Sequence, residues 1–285
     1  MSDQIVVDSA NLVDVVYSGG GLPGAGDPAE DYFEASKLYL SSAQWDVPGA
    51  QALERSAALR TMTTRAGRRY GSRPALALAE PEPLAADLVT VLTGRRSAMS
   101  FGAGPVGLPV LAGLLRHSYG ISGQEGERPL RPTPSGGALY PLDVFVIAQR
   151  VPGLTANGLY HFDPFRNVLA DLGAVSPTAL GECLNPPGLP PSASVTLVLS
   201  ASFWRSRFKY GQRALRFALM EAGHLAQNIL LLATAYGLAG RPVGGFLDAG
   251  LTALLPDHNG VDDAPLYALL IGTPGGPPAP AAPAG

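Results

Sequence analysis

The stretch Arg131-Pro132-Thr133-Pro134-Ser135-Gly136-Gly137-Ala138-Leu139-Tyr140-Pro141-Leu142-Asp143-Val144-Phe145-Val146-Ile147 decides the reading of this chain. Pro134 and Pro141 stiffen its first half, and Gly136, Gly137 and Ala138 leave backbone N–H and C=O groups uncovered. The second half is an alternating apolar run that reads as a strand over Leu142 to Ala148. A bare loop that opens directly into a strand is either an ordinary strand-entry turn or a backbone surface for a flat ligand with a polar rim.

Downstream, Gly158 to Asp163 reads as a partner strand, turned by Pro152-Gly153 and Asn157-Gly158. Ser194 to Ala201 alternates through Val195, Leu197 and Leu199 as an interior strand, and Leu266 to Ile271 gives another. Helical spacing predicts Leu84 to Gly94, then Leu108 to Tyr119 with Gly120 as C-cap, then a Pro-broken helix around Thr178 to Leu184. Strands interleaved with helices define an α+β, or mixed α/β, architecture around one sheet. Residues 1–29 read as a loosely ordered, Gly- and Asp-rich segment. Residues 30–83, with Pro74, Pro81 and Pro83, form an extension and connecting arm, 84–274 the main domain, and 275–285 a disordered Pro/Ala/Gly tail.

The chain has 285 residues, 46% of them hydrophobic and 15% charged, enough for a substantial core. A formal net charge of -3 without a basic run argues against nucleic acid or an anionic membrane as partner. Cys183 is the single cysteine, so the chain forms no internal disulfide and offers no multi-thiolate zinc site. The first residues lack the basic start and apolar core of a secretory signal, and a cytoplasmic protein is expected. The apolar window Leu215 to Leu238 approaches bilayer length but carries Arg216, Glu221, His224, Gln227 and Asn228, which suits a buried or interfacial helix instead. Glu221, His224 and Asn228 share one face with Gln227 at its edge, either bonding to neighbouring elements or standing near a ligand.

Few groups carry chemistry. Arg95-Arg96-Ser97, after a helix, can converge two guanidinium groups and a hydroxyl on a phosphate, or can form a solvated surface. Lys209-Tyr210, at the start of the long apolar helix, is a proton-transfer candidate, since a lysine beside a phenol favours its charged form; the alternative is a solvated lysine and a packed tyrosine. Gly244-Gly245-Phe246 repeats the bare-backbone pattern and reads otherwise as a turn. Cys183 has no histidine near it in sequence, the four histidines lack metal-ligand spacing, and no dinucleotide or P-loop fingerprint occurs. A phosphate clasp, a bare loop and a proton-transfer pair without a nucleotide-fold signature together suggest a flavin mononucleotide site.

These motifs, in the order Arg95-Arg96-Ser97, Pro134 to Pro141, Lys209-Tyr210, Glu221 to His224 with Gln227-Asn228, and Gly244-Gly245-Phe246, resemble the SagB-type dehydrogenases, a branch of the nitroreductase-like flavoproteins. The resemblance spans about residue 30 to about residue 274. It implies a central mixed sheet wrapped by helices and an intertwined homodimer with FMN at the subunit interface. It also implies oxidation of thiazolines and oxazolines to thiazoles and oxazoles, in ribosomally made peptides or on carriers, with a cyclodehydratase as a possible partner and oxygen reoxidising the flavin. By resemblance, Arg95, Arg96 and Ser97 hold the FMN phosphate. Pro134, Ser135, Gly136, Gly137 and Ala138 contact the flavin ring, Gln227, Asn228, Gly244 and Gly245 approach it, and Lys209 and Tyr210 are catalytic. Met99 departs from the pattern, because that position is often basic in the superfamily; Arg241 or a partner residue is the expected replacement. A nicotinamide-dependent nitro or quinone reductase and a flavin-free scaffold are the competing readings.

Overall fold

The computed structural model describes residues 27–38, 48–64, 67–184 and 192–276. Of the loose segment expected over residues 1–29, residues 1–26 lie outside them while Pro28 and Ala29 open a helix; the break at Pro186-Pro187 and residues 277–285 of the tail expected over 275–285 also lie outside them. The chain divides into two compact units, Met1–Trp45 and Asp46–Gly285. In the first, helix α1 (Pro28–Ala35) starts where the Asp27 carboxylate accepts from the Ala29 N–H, with proline at its first position.

The second unit begins with helices α2 (Pro48–Arg55) and α3 (Ala57–Thr64) and the short strand β1 (Ala75–Ala77). Helix α4 (Leu88–Gly94) follows. Its N-cap is Asp87, whose side chain accepts from the Thr90 N–H, so the helix starts four residues later than the apolar spacing from Leu84 suggests. Helix α5 (Leu108–Tyr119) has the expected bounds, with proline in its first turn. A small hairpin, β2 (Gly123–Glu125) and β3 (Arg128–Leu130), leads into the bare loop, one tight turn of 3-10 helix over Gly136–Ala138. Then come β4 (Leu142–Ala148), β5 (Gly158–Asp163), β6 (Val168–Ala174), α6 (Pro177–Cys183), β7 (Val195–Ser202), α7 (Trp204–Tyr210), α8 (Arg213–Ala235), β8 (Ala239–Val243), α9 (Asp248–Ala253) and β9 (Asp263–Gly272).

Seven strands form one sheet in the order β1-β6-β5-β4-β7-β9-β8, and every ladder in it is antiparallel among the described residues. The fold is α+β, with helices on both faces of this sheet. Leu142, Val144, Val146 and Ala148 of the central strand β4 face a core shared with α5 and α8. Phe145 and Ile147 face a second core with Leu180 of α6 and Leu251 of α9. Burial on both faces explains why β4 is almost wholly apolar. Helix α8 lays Ala214, Ala218, Ala222, Leu225, Ile229 and Ala233 against the first core, and no helix among the described residues is long and apolar enough to cross a membrane.

Several features depart from the sequence reading: the described ladders of the main sheet are all antiparallel where a mixed sheet was expected, and the short strands β1, β2 and β3 were not expected. Strands β6 and β8 were not expected, and β8 holds Pro242, tolerated because β8 is an edge strand whose outer side needs no N–H donor. Lys209-Tyr210 does not start the long helix. It ends the separate helix α7, closed by Gly211 at φ 54° before α8 begins.

Candidate functional site

The bare loop is held in an unusual conformation. Gly137, Ala138 and Tyr140 all have positive φ, at 63°, 51° and 46°, and two of the three are not glycine. Left-handed backbone at such residues costs roughly 1 kcal/mol or more each and persists where surrounding contacts enforce it. Those contacts are visible. The Tyr140 N–H donates to Ser135 Oγ at 2.9 Å, closing the loop on itself. The Tyr140 hydroxyl accepts from the Arg131 N–H at 2.9 Å. The buried Arg131 guanidinium stacks 4.3 Å from the Tyr119 ring and 4.5 Å from the Tyr140 ring. Upstream, Asn228 Nδ2 donates to Thr133 Oγ1 at 3.1 Å, and that hydroxyl donates to the Ser118 carbonyl at 2.8 Å. Helix α8 thus ties down the start of the loop.

Helix α7 brings the Lys-Tyr pair to the same loop. A Cβ built on Gly137 would lie 2.4 Å from Tyr210 Oη and 2.9 Å from Lys209 Nζ, so both functional atoms crowd a position where the loop has no side chain. Tyr210 packs edge-on against Phe217 of α8, with ring centroids 4.9 Å apart, and Phe217 also lies under Gly136. From the far side, α2 approaches α7 so closely that only glycine fits at position 49, beside the Phe208 carbonyl. Substituting Gly137→Ala is expected to cost about 1–2 kcal/mol from the left-handed backbone and to displace the pair. Turnover should fall by about 10²-fold, and a melting curve alongside a steady-state assay checks both effects.

What fixes α7 was not anticipated. Arg205 of α7 donates to both carboxylate oxygens of Asp143 on β4, at 3.1 and 2.6 Å. Arg68 Nε lies 3.5 Å from the same carboxylate and its guanidinium pairs with Asp263, while His161 Nε2 stands 3.3 Å away on the neighbouring strand. Burial alone would raise the Asp143 pKa, but Arg205 and His161 overcome it and hold the carboxyl far below the usual carboxylate range. The one acidic residue in an otherwise apolar central strand was the available sequence signal.

The other expected residues fall in three places. At the end of α4, Arg95 Nη1 reaches Ser97 Oγ at 3.5 Å, and Ser97 bridges to Gly240 of β8. Arg96 instead folds back to cap the carbonyls of Thr93 and Arg95, both at 2.8 Å. Met99 is 79% exposed, and Arg241 sits one residue along β8 from Gly240. Gly244 and Gly245 follow the other end of β8 and are exposed. Gln227 and His224 are exposed on α8, while Asn228 also borders an apolar hollow of about 380 Å³ with Leu88, Val91 and Leu232. Cys183 is buried, and burial pushes its thiol pKa up, against a nucleophilic role.

A seven-stranded antiparallel sheet between helical layers, with a strained bare loop entering its central strand, defines the class as an α+β fold. Residues 92–273 match the nitroreductase family, and the chain belongs to that family. It is 31% identical over 189 residues to the inferred nitroreductase MJ1384 of Methanocaldococcus jannaschii, across 65% of this chain and 90% of that protein. It is 34% identical over 127 residues to the microcin B17-processing protein McbC of Escherichia coli, across 42% of this chain and 46% of McbC. Among solved structures, a chain of the E. coli microcin synthetase McbBCD complex with truncated pro-MccB17 bound superposes with a TM-score of 0.55 at 21% identity. That match covers 94% of this chain and 93% of the other, a likeness of fold.

Proposed function

We propose that this chain is an FMN-dependent dehydrogenase of the SagB type, oxidising thiazoline or oxazoline rings to thiazoles or oxazoles in a ribosomally made peptide or a related natural product. The observation that carries the reading is the crowding of Lys209 Nζ and Tyr210 Oη onto Gly137. Family membership supports a flavin, and the likeness to a microcin-processing protein supports a peptide substrate. The homodimer and a cyclodehydratase partner belong to the same proposal, the latter supported by the resemblance of fold to a chain of a multi-subunit synthetase.

The residues present fit FMN. The loop at Ser135, Gly136, Gly137 and Ala138, entered at Pro134, carries little side chain of its own and so offers main-chain groups to a ring, with Lys209 and Tyr210 beside it at Gly137. Arg95 with Ser97, and Arg96 beside them, offers charge-assisted donors suited to a phosphate. Gly244 and Gly245 add a second bare segment, and Asn228 of α8 ties the start of the loop at Thr133, with Gln227 exposed beside it on the helix. Bound FMN supplies the two-electron acceptor that these side chains lack.

The chain's own share of the reaction is orientation, exclusion of water and one proton. Tyr210 Oη, in the anionic form that an adjacent Lys209 ammonium favours, accepts the acidic proton from the azoline and becomes the neutral phenol, while the hydride equivalent leaves the neighbouring ring carbon for the two-electron acceptor. Aromatisation of the substrate supplies driving force, so positioning dominates what the protein contributes. Anaerobic mixing tests the assignment. An azoline peptide should bleach the flavin without any nicotinamide. Bleaching by NAD(P)H alone with the peptide unchanged would mark a nitro or quinone reductase instead, and a colourless protein would mark a scaffold.

A further inference from the structure

Arg131, just upstream of the bare loop, is a buried cation that no carboxylate answers. The residue is 8% exposed. Its guanidinium lies 4.3, 4.5 and 5.6 Å from the rings of Tyr119, Tyr140 and Phe165, and it forms no ion pair among the described residues. Its Nε is buried without a hydrogen-bond partner. Aromatic faces offset only part of such a charge, and a buried cation left without a counter-ion is costly.

The neighbouring charges do not supply one. Arg205 donates to both oxygens of Asp143, and Arg68 pairs with Asp263, so these two couples are each neutral and Arg131 is left over. Glu221, of α8, accepts from the Tyr119 hydroxyl at 2.6 Å. Burial pushes its pKa up to about 7, which leaves it only partly charged at neutral pH.

Arg131 borders a small cavity whose wall also includes Gly67, Arg68, Tyr119, Asp143 and Phe165. Its volume is about 10 Å³, the room that one water-sized particle needs. Two guanidinium groups therefore face it from different segments. The Nε of Arg68, like that of Arg131, is buried without a hydrogen bond, although it stands 3.5 Å from Asp143. Asp143 is the one carboxylate in the wall, and its charge is already shared between Arg205 and Arg68. The volume excludes phosphate, sulfate and carboxylate ligands, each of which has several heavy atoms. A monatomic anion fits both the size and the sign of the site.

We propose that this cavity binds a single halide ion, chloride being the abundant one, as the counter-ion of Arg131. The inference is separate from the flavin reading and does not depend on it. A halide there neutralises the charge enclosed by the Tyr119 and Tyr140 rings, and so steadies the Tyr140 end of the loop.

The test is thermal melting of the full chain in sodium gluconate, replaced stepwise by sodium chloride or bromide at constant ionic strength. Tm should rise by about 5 °C and level off between roughly 1 and 300 mM halide. Gluconate is too large for the cavity, and a general salt effect would follow concentration without levelling. Arg131→Met keeps an unbranched side chain of similar reach and drops the charge, so it should lose the response. Arg116→Met, at a surface arginine paired with Glu80, should keep it. Crystals of the native protein grown in bromide locate the ion without any variant, so the test survives a failure of Arg131→Met to fold. An anomalous peak beside the Arg131 and Arg68 guanidinium groups is expected. Equal melting in halide and gluconate, a response that persists in Arg131→Met, or an anomalous map without a peak in the cavity would overturn the inference and leave the flavin reading untouched.

Discussion

Lys209→Ala and Tyr210→Phe variants are expected to keep their FMN and to lose azoline oxidation by roughly 10²–10⁴-fold, the range for removal of a positioned proton-transfer group. The expectation comes from geometry. Both functional atoms converge on Gly137, whose missing side chain leaves room for them, while the groups assigned to the phosphate, Arg95 and Ser97, follow α4 and belong to neither the loop nor α7. The two functions should therefore separate. Flavin content should stay near that of the native protein, and the fall should appear in kcat with little change in substrate affinity. Tyr210→Phe keeps the ring that packs on Phe217 and removes only the oxygen, so it is the cleaner variant. Full turnover in both variants would remove the pair from the mechanism.

Asp143→Ala is expected to cost about 3–5 kcal/mol, because it leaves the Arg205 guanidinium buried without its partner. For a domain of this size that corresponds to a fall in Tm on the order of 10 °C. The side chain is 6% exposed and accepts two hydrogen bonds from Arg205, with Arg68 and His161 beside it. Since Arg205 lies one helical turn before Lys209, loss of the pair should also loosen α7 and lower turnover in whatever protein remains folded. Pairing Asp143→Leu with Arg205→Met, which replaces both charges by apolar groups, should recover much of the stability. Near-additive losses in that cycle would show that the ion pair does not couple α7 to β4.

The contrast between these two sets of residues shows what was legible in the sequence. The loop at Ser135-Gly136-Gly137 and the strand after it could be read because proline, glycine and an alternating apolar run are local signals. The helix from Leu108 to Tyr119 was read to the residue, since proline at its start and glycine after its end mark both boundaries. Helix α4 began late because one Asp87 cap outweighs the apolar residue at Leu84. Strand β8 was hidden by Pro242, whose acceptability depends on its being at a sheet edge, a fact of topology. The ionic cluster around Asp143 joins positions 68, 143, 161, 205 and 263, and no local pattern links residues so far apart. Glu221, His224 and Asn228 were expected on one helix face with Gln227 at its edge, yet Glu221 is buried, Asn228 half-buried, and His224 and Gln227 exposed. Which of them is buried, and against which loop residue, required the packing of α5 and α8 on β4.

Mass spectrometry of a heterocyclised peptide, incubated with the purified protein and oxygen, tests the central claim most directly. The account predicts loss of two hydrogens, about 2 Da, for each azoline ring, abolished in Tyr210→Phe and requiring no nicotinamide. An unchanged peptide mass in the presence of a fully flavin-loaded protein would contradict it.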